Sequence, residues 1–164
     1  MEKSTVTDIS HDKTILVLGG GIGGVVTATQ LRKQLAPDYR VVLIEREDKY
    51  VFSPSLPWLM TGTRRRKDIS RPRTKLLSLG VQIINGEIES IDAEQRSVQV
   101  NGQTFVGDYI VIALGAEMAA ETIPGLSEAG YTFYTLEGAE QLNEARLKFK
   151  TGKIVVLVSS VPFK

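Results

Sequence analysis

No cysteine occurs in the 164 residues, which excludes disulfide frameworks and thiolate zinc sites within the chain. A single histidine, His11, stands in the polar opening segment, a position that reads as solvent-exposed rather than catalytic. Lys and Arg (20) almost balance Asp and Glu (19), so the formal net charge of +1 creates no basic field to attract nucleic acid. Long apolar runs are missing too: no stretch nears the roughly 18 residues that mark a membrane span. The opening residues MEKSTVTDISHDK lack the apolar region of a secretory leader, so the cytoplasm is the expected location, with attachment to a membrane surface left open. What remains, 42% hydrophobic and 24% charged residues, suits a folded core of about one domain.

Glycine, by contrast, is concentrated where it carries information. The run from Lys13 to Gly24, KTILVLGGGIGG, joins an apolar strand to a glycine turn and then to a helix. Such a junction holds a dinucleotide pyrophosphate: Gly19 allows the tight turn, Gly21 lets the main chain approach the phosphates, and Gly24 lets the helix pack on the strand. Ile22 and Gly23 open the helix, whose first N–H groups face the anion. Val41 to Glu45 reads as the next strand, and Glu45 closes it about 20 residues past Gly24, where the fold places the acceptor for ribose hydroxyls. A carboxylate there repels a 2'-phosphate, which favours FAD or NAD over NADP. The plainer reading makes the glycines a structural turn and Glu45 a solvated strand end.

Further along, Ile22 to Leu35 carries Ile22, Val25, Val26 and Thr29 at the spacing of one buried helical face, and Pro37 with Asp38 ends the helix. Tyr50 to Met60, with two prolines and three aromatics, has no clear period and reads as a functional loop. Arg64, Arg65, Arg66 and Lys67 read as a solvated face, with phosphate or acidic-lipid contact as the alternative. A helix is expected from Ser70 to Leu79, closed by Gly80. Beyond it the period becomes two. Val81 to Ile84, Glu87 to Ile91, Ser97 to Val100 and Gln103 to Val106 form a small antiparallel unit, with Asn101 and Gly102 as a hairpin turn. Tyr109 to Leu114 is continuously apolar, as a strand inside a covered sheet would be, and Gly115 lets the chain turn close to a ligand. Leu136 to Phe149 reads as an amphipathic helix with Leu142 and Phe149 on one side, and Lys153 to Val158 as another buried strand. No residue stands out as a general acid or base, and no metal site is assigned.

These residues resemble a family of flavoproteins with two dinucleotide-binding domains, and within it the sulfide:quinone oxidoreductases and the flavoprotein subunit of flavocytochrome c sulfide dehydrogenase. GGGIGG, Glu45, FSPSLPW from Phe52 to Trp58, YIVIALGA from Tyr109 to Ala116, IPGL from Ile123 and YTLEGAEQL from Tyr134 carry the likeness. The proline and tryptophan loop and the YTLEGAE stretch point to the sulfide branch. The resemblance implies an α/β chain: a Rossmann-like FAD-binding domain with a parallel sheet and a small antiparallel β unit over residues 1–116. A connection and helix follow over 117–152, and 153–164 would open a second, dinucleotide-binding-type domain.

In that likeness FAD lies with its pyrophosphate at Gly19 to Gly24, Glu45 and Arg46 at the ADP ribose, and Ser53 and Pro54 on the flavin side. Ile88 would contact adenine through its main chain, and Leu114 with Gly115 would touch the cofactor from the return strand. Trp58 reads as a packing anchor for its loop, with a flavin or quinone contact as the alternative. Relatives that oxidise NADH carry a second glycine turn after the strand matching Lys153 to Val158. This chain reads Ser159, Ser160, Val161, Pro162 and Phe163, which suggests poor NADH binding and favours sulfide as donor, with a quinone or cytochrome as acceptor. The redox cysteines of the sulfide branch would lie beyond Lys164, as would regions for peripheral membrane contact. A further cysteine found in some members falls where Ala116 to Ala119 stand here, so a three-cysteine mechanism is not supported. A type II NADH:quinone oxidoreductase and a nucleotide-binding fragment without turnover are the competing readings.

Overall fold

A computed structural model describes residues 13–158, which divide into two units. The expectations for His11 and for Ser159 to Phe163 lie outside the described residues. The first unit comprises the described residues up to Phe52 together with Ile69–Ala119, and the second Ser53–Asp68 with the described residues from Ala120 onward.

The centre of the first unit is a four-stranded parallel sheet. It contains β1 (Thr14–Leu18), β2 (Arg40–Glu45), β5 (Gln82–Asn85) and β9 (Tyr109–Ile112), in the spatial order β5-β2-β1-β9. Helix α1 (Ile22–Gln34) links β1 to β2. A short antiparallel pair, β3 (Lys49–Val51) with β4 (Ser70–Pro72), marks where the chain leaves this unit and returns, and Phe52 N–H donates to Ile69 C=O at 2.9 Å beside it. A second, antiparallel sheet holds β6 (Ile88–Asp92), β7 (Ser97–Val100) and β8 (Gln103–Val106).

Alternation along β1 explains the layering. Side chains of successive strand residues point to opposite faces. Ile15 and Val17 therefore join Ala28, Val41, Leu43, Leu76 and Val81 in one core, with Val25 and Leu31 of α1 packed against it. Leu16 and Leu18 join Val42, Ile44, Val98 and Val100 in another, against which Ile88, Ile91 and Phe105 of the antiparallel sheet pack. With both faces covered, β1 and β2 have no use for polar alternation, which is why TILVL and VVLI run unbroken. The hairpin turn stands as expected: Asn101 (φ 48°) and Gly102 (φ 75°) are both left-handed, the backbone that a tight two-residue hairpin requires.

Several expectations are corrected. Ile22 and Val26 are exposed, and α1 instead buries Gly24 and Ala28 with Val25 half-buried; small residues set its close approach, and they contribute little to an apolar period. Val81 to Ile84 does not belong to the antiparallel unit: β5 pairs parallel with β2. The expected helix from Ser70 splits into β4 and a 3-10 turn over Arg73–Leu79, because Pro72 biases Arg71 toward extended backbone; Gly80, at φ 82°, ends it as expected. Strand β9 lies at the edge of the described sheet, with Tyr109 and Ile112 exposed, not inside it. Residues 153–158 form no strand and are exposed, as no described strand pairs with them.

The second unit is helical. Tyr50 to Met60 is not a loop: after β3 comes a 3-10 turn (Ser53–Ser55) and then α2 (Leu56–Met60), which accepts Pro57 in its first turn where no N–H is required. The short α3 (Arg66–Ile69) leads back to β4, while α4 (Leu126–Ala129) and α5 (Leu136–Lys148) follow on the second pass. Thr135 caps α5, its hydroxyl accepting from Gly138 N–H at 3.0 Å. Helix α2 packs on α5, with Leu56, Leu59 and Ala139 buried. The basic run is exposed as expected, and members of it also make contacts within this unit. Arg66 forks onto Glu140 (3.0 and 2.5 Å) and reaches Glu137 (3.1 Å), while Arg64 lies over the Trp58 ring at 5.0 Å and donates to Ser55 Oγ. Arg146 donates to Thr61 C=O at 3.0 Å.

Leu43→Ala, at a fully buried position, is expected to lower stability to urea by about 2–5 kcal/mol. Val106→Ala, at an exposed one, should change it by less than about 0.5 kcal/mol. Hydrogen bonding from Arg66 holds the Glu140 carboxyl below its usual 4.5, so the ion pair contributes above that pH and is lost as pH falls through the depressed value. The pair is partly exposed, and its contribution is below about 1 kcal/mol. Thermal melts from pH 6 to pH 3 should converge for the wild type and Glu140→Gln, with the wild type ahead at the upper end.

Candidate nucleotide-binding site

The carboxyl ends of β1, β2, β5 and β9 lie side by side: Leu18 pairs with Ile44 and Ile112, and Ile44 with Ile84. In open α/β sheets this is the edge where ligands bind. The glycine turn rises from the central strand there, its Gly19 N–H donating to Ile44 C=O at 2.9 Å.

Each motif glycine has its own physical reason. Gly19 is left-handed at φ 97°, and a Cβ on it would stand 2.5 Å from Ala113 C=O at the end of β9. A Cβ on Gly24 would collide with Gly19 C=O, so α1 can lie this close to β1 with glycine alone. Gly21, extended at φ −68°, ψ −171°, has nothing within 4 Å of where its Cβ would be. Its freedom from contact matters in a different way: the space above it is open to an incoming group. No side chain caps α1 and no acid stands in its first turn, so the positive end of the helix faces that space uncompensated. These features fit a pyrophosphate.

Glu45 is brought to the turn. One carboxylate oxygen, Oε2, accepts from Gly20 N–H at 2.5 Å, and Oε1 accepts from Glu47 N–H at 3.0 Å. A carboxylate oxygen has two lone pairs, so capacity for a ribose hydroxyl remains on each. The side chain keeps 15% exposure. Leu114 is also placed against the cradle, since a Cβ on Gly19 would meet Leu114 Cα at 3.0 Å, while Gly115 turns the chain at φ 79° with nothing within 4 Å of where its Cβ would be. Gly23 lies at the open end of α1, as Ile22 does, both exposed.

Other candidates are placed differently. Arg46 is exposed and paired with Glu87 at 3.2 Å. Ile88 is half-buried in the second core, so its side chain is committed to packing and its main chain lies at the start of β6 opposite Val100. Ser53 and Pro54 form the 3-10 turn of the second unit, where Trp58 stacks beneath Arg64.

Sequence reasoning missed Arg73. Its side chain is 7% exposed, lies 3.7 Å from Glu45 Oε2, and donates to Gly20 C=O at 3.0 Å, to Glu47 C=O at 2.6 Å and to Lys49 C=O. Burial pushes its pKa down and Glu45 opposes the shift; an arginine remains charged in either case. Nothing in the local pattern RPRT separates this residue from the exposed Arg71 two positions earlier.

Gly21→Ala is expected to leave the melting temperature unchanged while weakening ADP binding at least about tenfold, since its Cβ fills the approach to the phosphates. Gly24→Ala should lose both folding stability and binding. Calorimetric titration with ADP beside a thermal melt separates the two.

Comparison with known proteins gives the family and the fold. The sulfide-quinone reductase of Aquifex aeolicus is 32% identical over 152 residues, which are 92% of this chain and 35% of that protein. Its crystal structure superposes with a TM-score of 0.79 at 33% identity, covering 83% of this chain and 32% of that one. An alternative NAD(P)H-ubiquinone oxidoreductase of Arabidopsis thaliana is 30% identical over 86% of this chain and 32% of its own length. This chain thus spans about a third of the length of these relatives. Residues 13–158 match the pyridine nucleotide-disulphide oxidoreductase family from the first strand to the end of the described structure, and the chain belongs to that family.

Proposed function

We propose that this chain is the FAD-binding, amino-terminal part of a sulfide:quinone oxidoreductase-like flavoprotein. The observation that carries the reading is the open cradle at Gly21 with a carboxylate, Glu45, fixed at its rim. Gly19 to Gly24 hold the pyrophosphate by close main-chain approach and the N–H groups of α1. Glu45 grips the adenosine ribose with Arg46 beside it, the main chain at Ile88 meets adenine, and Leu114 with Gly115 borders the cofactor from β9. Ser53 and Pro54 serve its flavin side. When bound, FAD supplies two-electron chemistry, while the chain orients it and controls access. Residues 1–116 are the FAD part, 117–152 a connection, and 153–164 open a second domain.

Sulfide is the proposed donor, with electrons leaving to a quinone or cytochrome. The likeness to the Aquifex aeolicus protein supports this. So do Ser159, Ser160 and Pro162, where an NADH-binding turn would need glycines. No catalytic side chain is assigned within this chain, which contains no cysteine. A second reading, NADH:quinone oxidoreduction, draws on the 30% identity to the Arabidopsis enzyme. Among the described residues no helix is long and apolar enough to cross a membrane.

Anaerobic titration of the full-length protein decides between donors. Sulfide is expected to bleach the flavin absorbance near-stoichiometrically and NADH to do so slowly; rapid bleaching by NADH alone overturns the sulfide reading. The 164-residue chain by itself should retain FAD weakly, because its exposed β9 edge and its apolar residues 154–158 lack covering partners among the described residues.

A further inference from the structure

Arg73 and Glu45 hold the same two residues, Glu45 by their N–H groups and Arg73 by their C=O groups. Gly20 gives its N–H to Glu45 Oε2 (2.5 Å) and its C=O to Arg73 Nη2 (3.0 Å). Glu47 gives its N–H to Glu45 Oε1 (3.0 Å) and its C=O to Arg73 Nη1 (2.6 Å). The result is a closed clamp in which the acid and the guanidinium, 3.7 Å apart, lock the glycine turn to the segment after β2. We propose that Arg73 is a positioning residue for the ribose acid: held in this clamp, it touches no nucleotide but fixes the Glu45 carboxylate in the orientation that grips an adenosine ribose. The inference rests on the nucleotide reading given above and assigns it a residue and a constraint.

The same clamp explains a glycine that the motif does not require. Gly20 falls between the turn glycine and the phosphate-approach glycine, and its backbone is not left-handed, so its own conformation does not demand glycine. A Cβ there would stand 2.5 Å from Arg73 Nε and 2.9 Å from Glu45 Cγ. Gly20 is therefore small to leave room for the clamp. Arg73 Nε is buried and has no hydrogen-bond partner among the described residues, while both Nη atoms are engaged by the clamp. Without Arg73 the half-buried carboxylate loses its counter-charge, and water becomes its better partner.

The test measures binding of ADP and of 2',3'-dideoxy-ADP to the full chain by calorimetry and compares their ratio. Charge-assisted hydrogen bonds from ribose hydroxyls give the wild type a preference for ADP of about ten- to a hundredfold. Arg73→Met is expected to shrink that preference to within about threefold, and Arg73→Lys to an intermediate value, because an ammonium keeps the charge but cannot span three carbonyls. Gly20→Ala should reproduce the Arg73→Met result by displacing the same groups, and the double variant should show no further fall. Partial unfolding reduces apparent affinity for both ligands alike and so drops out of the ratio. If Arg73→Met does not fold, Arg73→Lys and Gly20→Ala give the same comparison. Equal weakening of both ligands with an unchanged ratio would show Arg73 to be merely structural and overturn the proposal. A wild type that binds neither ligand, or both alike, removes the nucleotide reading and this inference with it.

Discussion

The contact on which the rest depends is the approach of α1 to β1, where the hydrogen of Gly24 lies on the carbonyl of Gly19 and no larger group fits. It sets the rotation of the helix, so that Ala28 and Val25 face the sheet and Ile22 is left outside. It also aims the unpaired N–H groups of the first helical turn across the strand ends. One steric constraint thereby shapes a core and a binding surface together. The alternating side chains of β1 extend the arrangement to the opposite face, where the antiparallel sheet closes over Leu16 and Leu18.

Electrostatics at the rim follows from that geometry. A turn with exposed N–H groups would bind any nearby carboxylate, and Glu45 is that carboxylate. Left alone it would compete with an incoming anion and spend its capacity on the protein. Arg73 changes the balance: it carries the opposite charge 3.7 Å from Glu45 and takes up the carbonyls of Gly20 and Glu47, the residues whose N–H groups Glu45 holds. In the second unit the same residue types serve a different end, since Arg66 with Glu137 and Glu140 holds the 66–68 segment to α5 near solvent.

What could be read from the sequence was what depends on neighbours along the chain. The strand, glycine turn and helix from Thr14 to Gln34, the acid at Glu45, the hairpin at Asn101 and the left-handed stop at Gly80 all carry local signatures, and all stand where expected. Partners distant in sequence were not legible. The strand after Gly80 has the composition of its antiparallel successors, and only its pairing with β2 puts it in the parallel sheet. Two prolines made Ser53 to Met60 look irregular although both sit where helical turns tolerate them. Arg73 left no trace because its importance comes from residues 20, 45, 47 and 49, none of them within a helical turn of it.

Strand β1 pairs on one side with β2, reached through a single helix, and on the other with β9, whose approach joins Thr14 N–H to the Asp108 carboxylate across 94 positions of chain. Closing so wide a loop is entropically slow compared with forming the hairpin at Asn101, whose strands are adjacent. Because Ala113 and Leu114 complete the wall beside Gly19, the cradle is whole only when strands far apart in the sequence have paired.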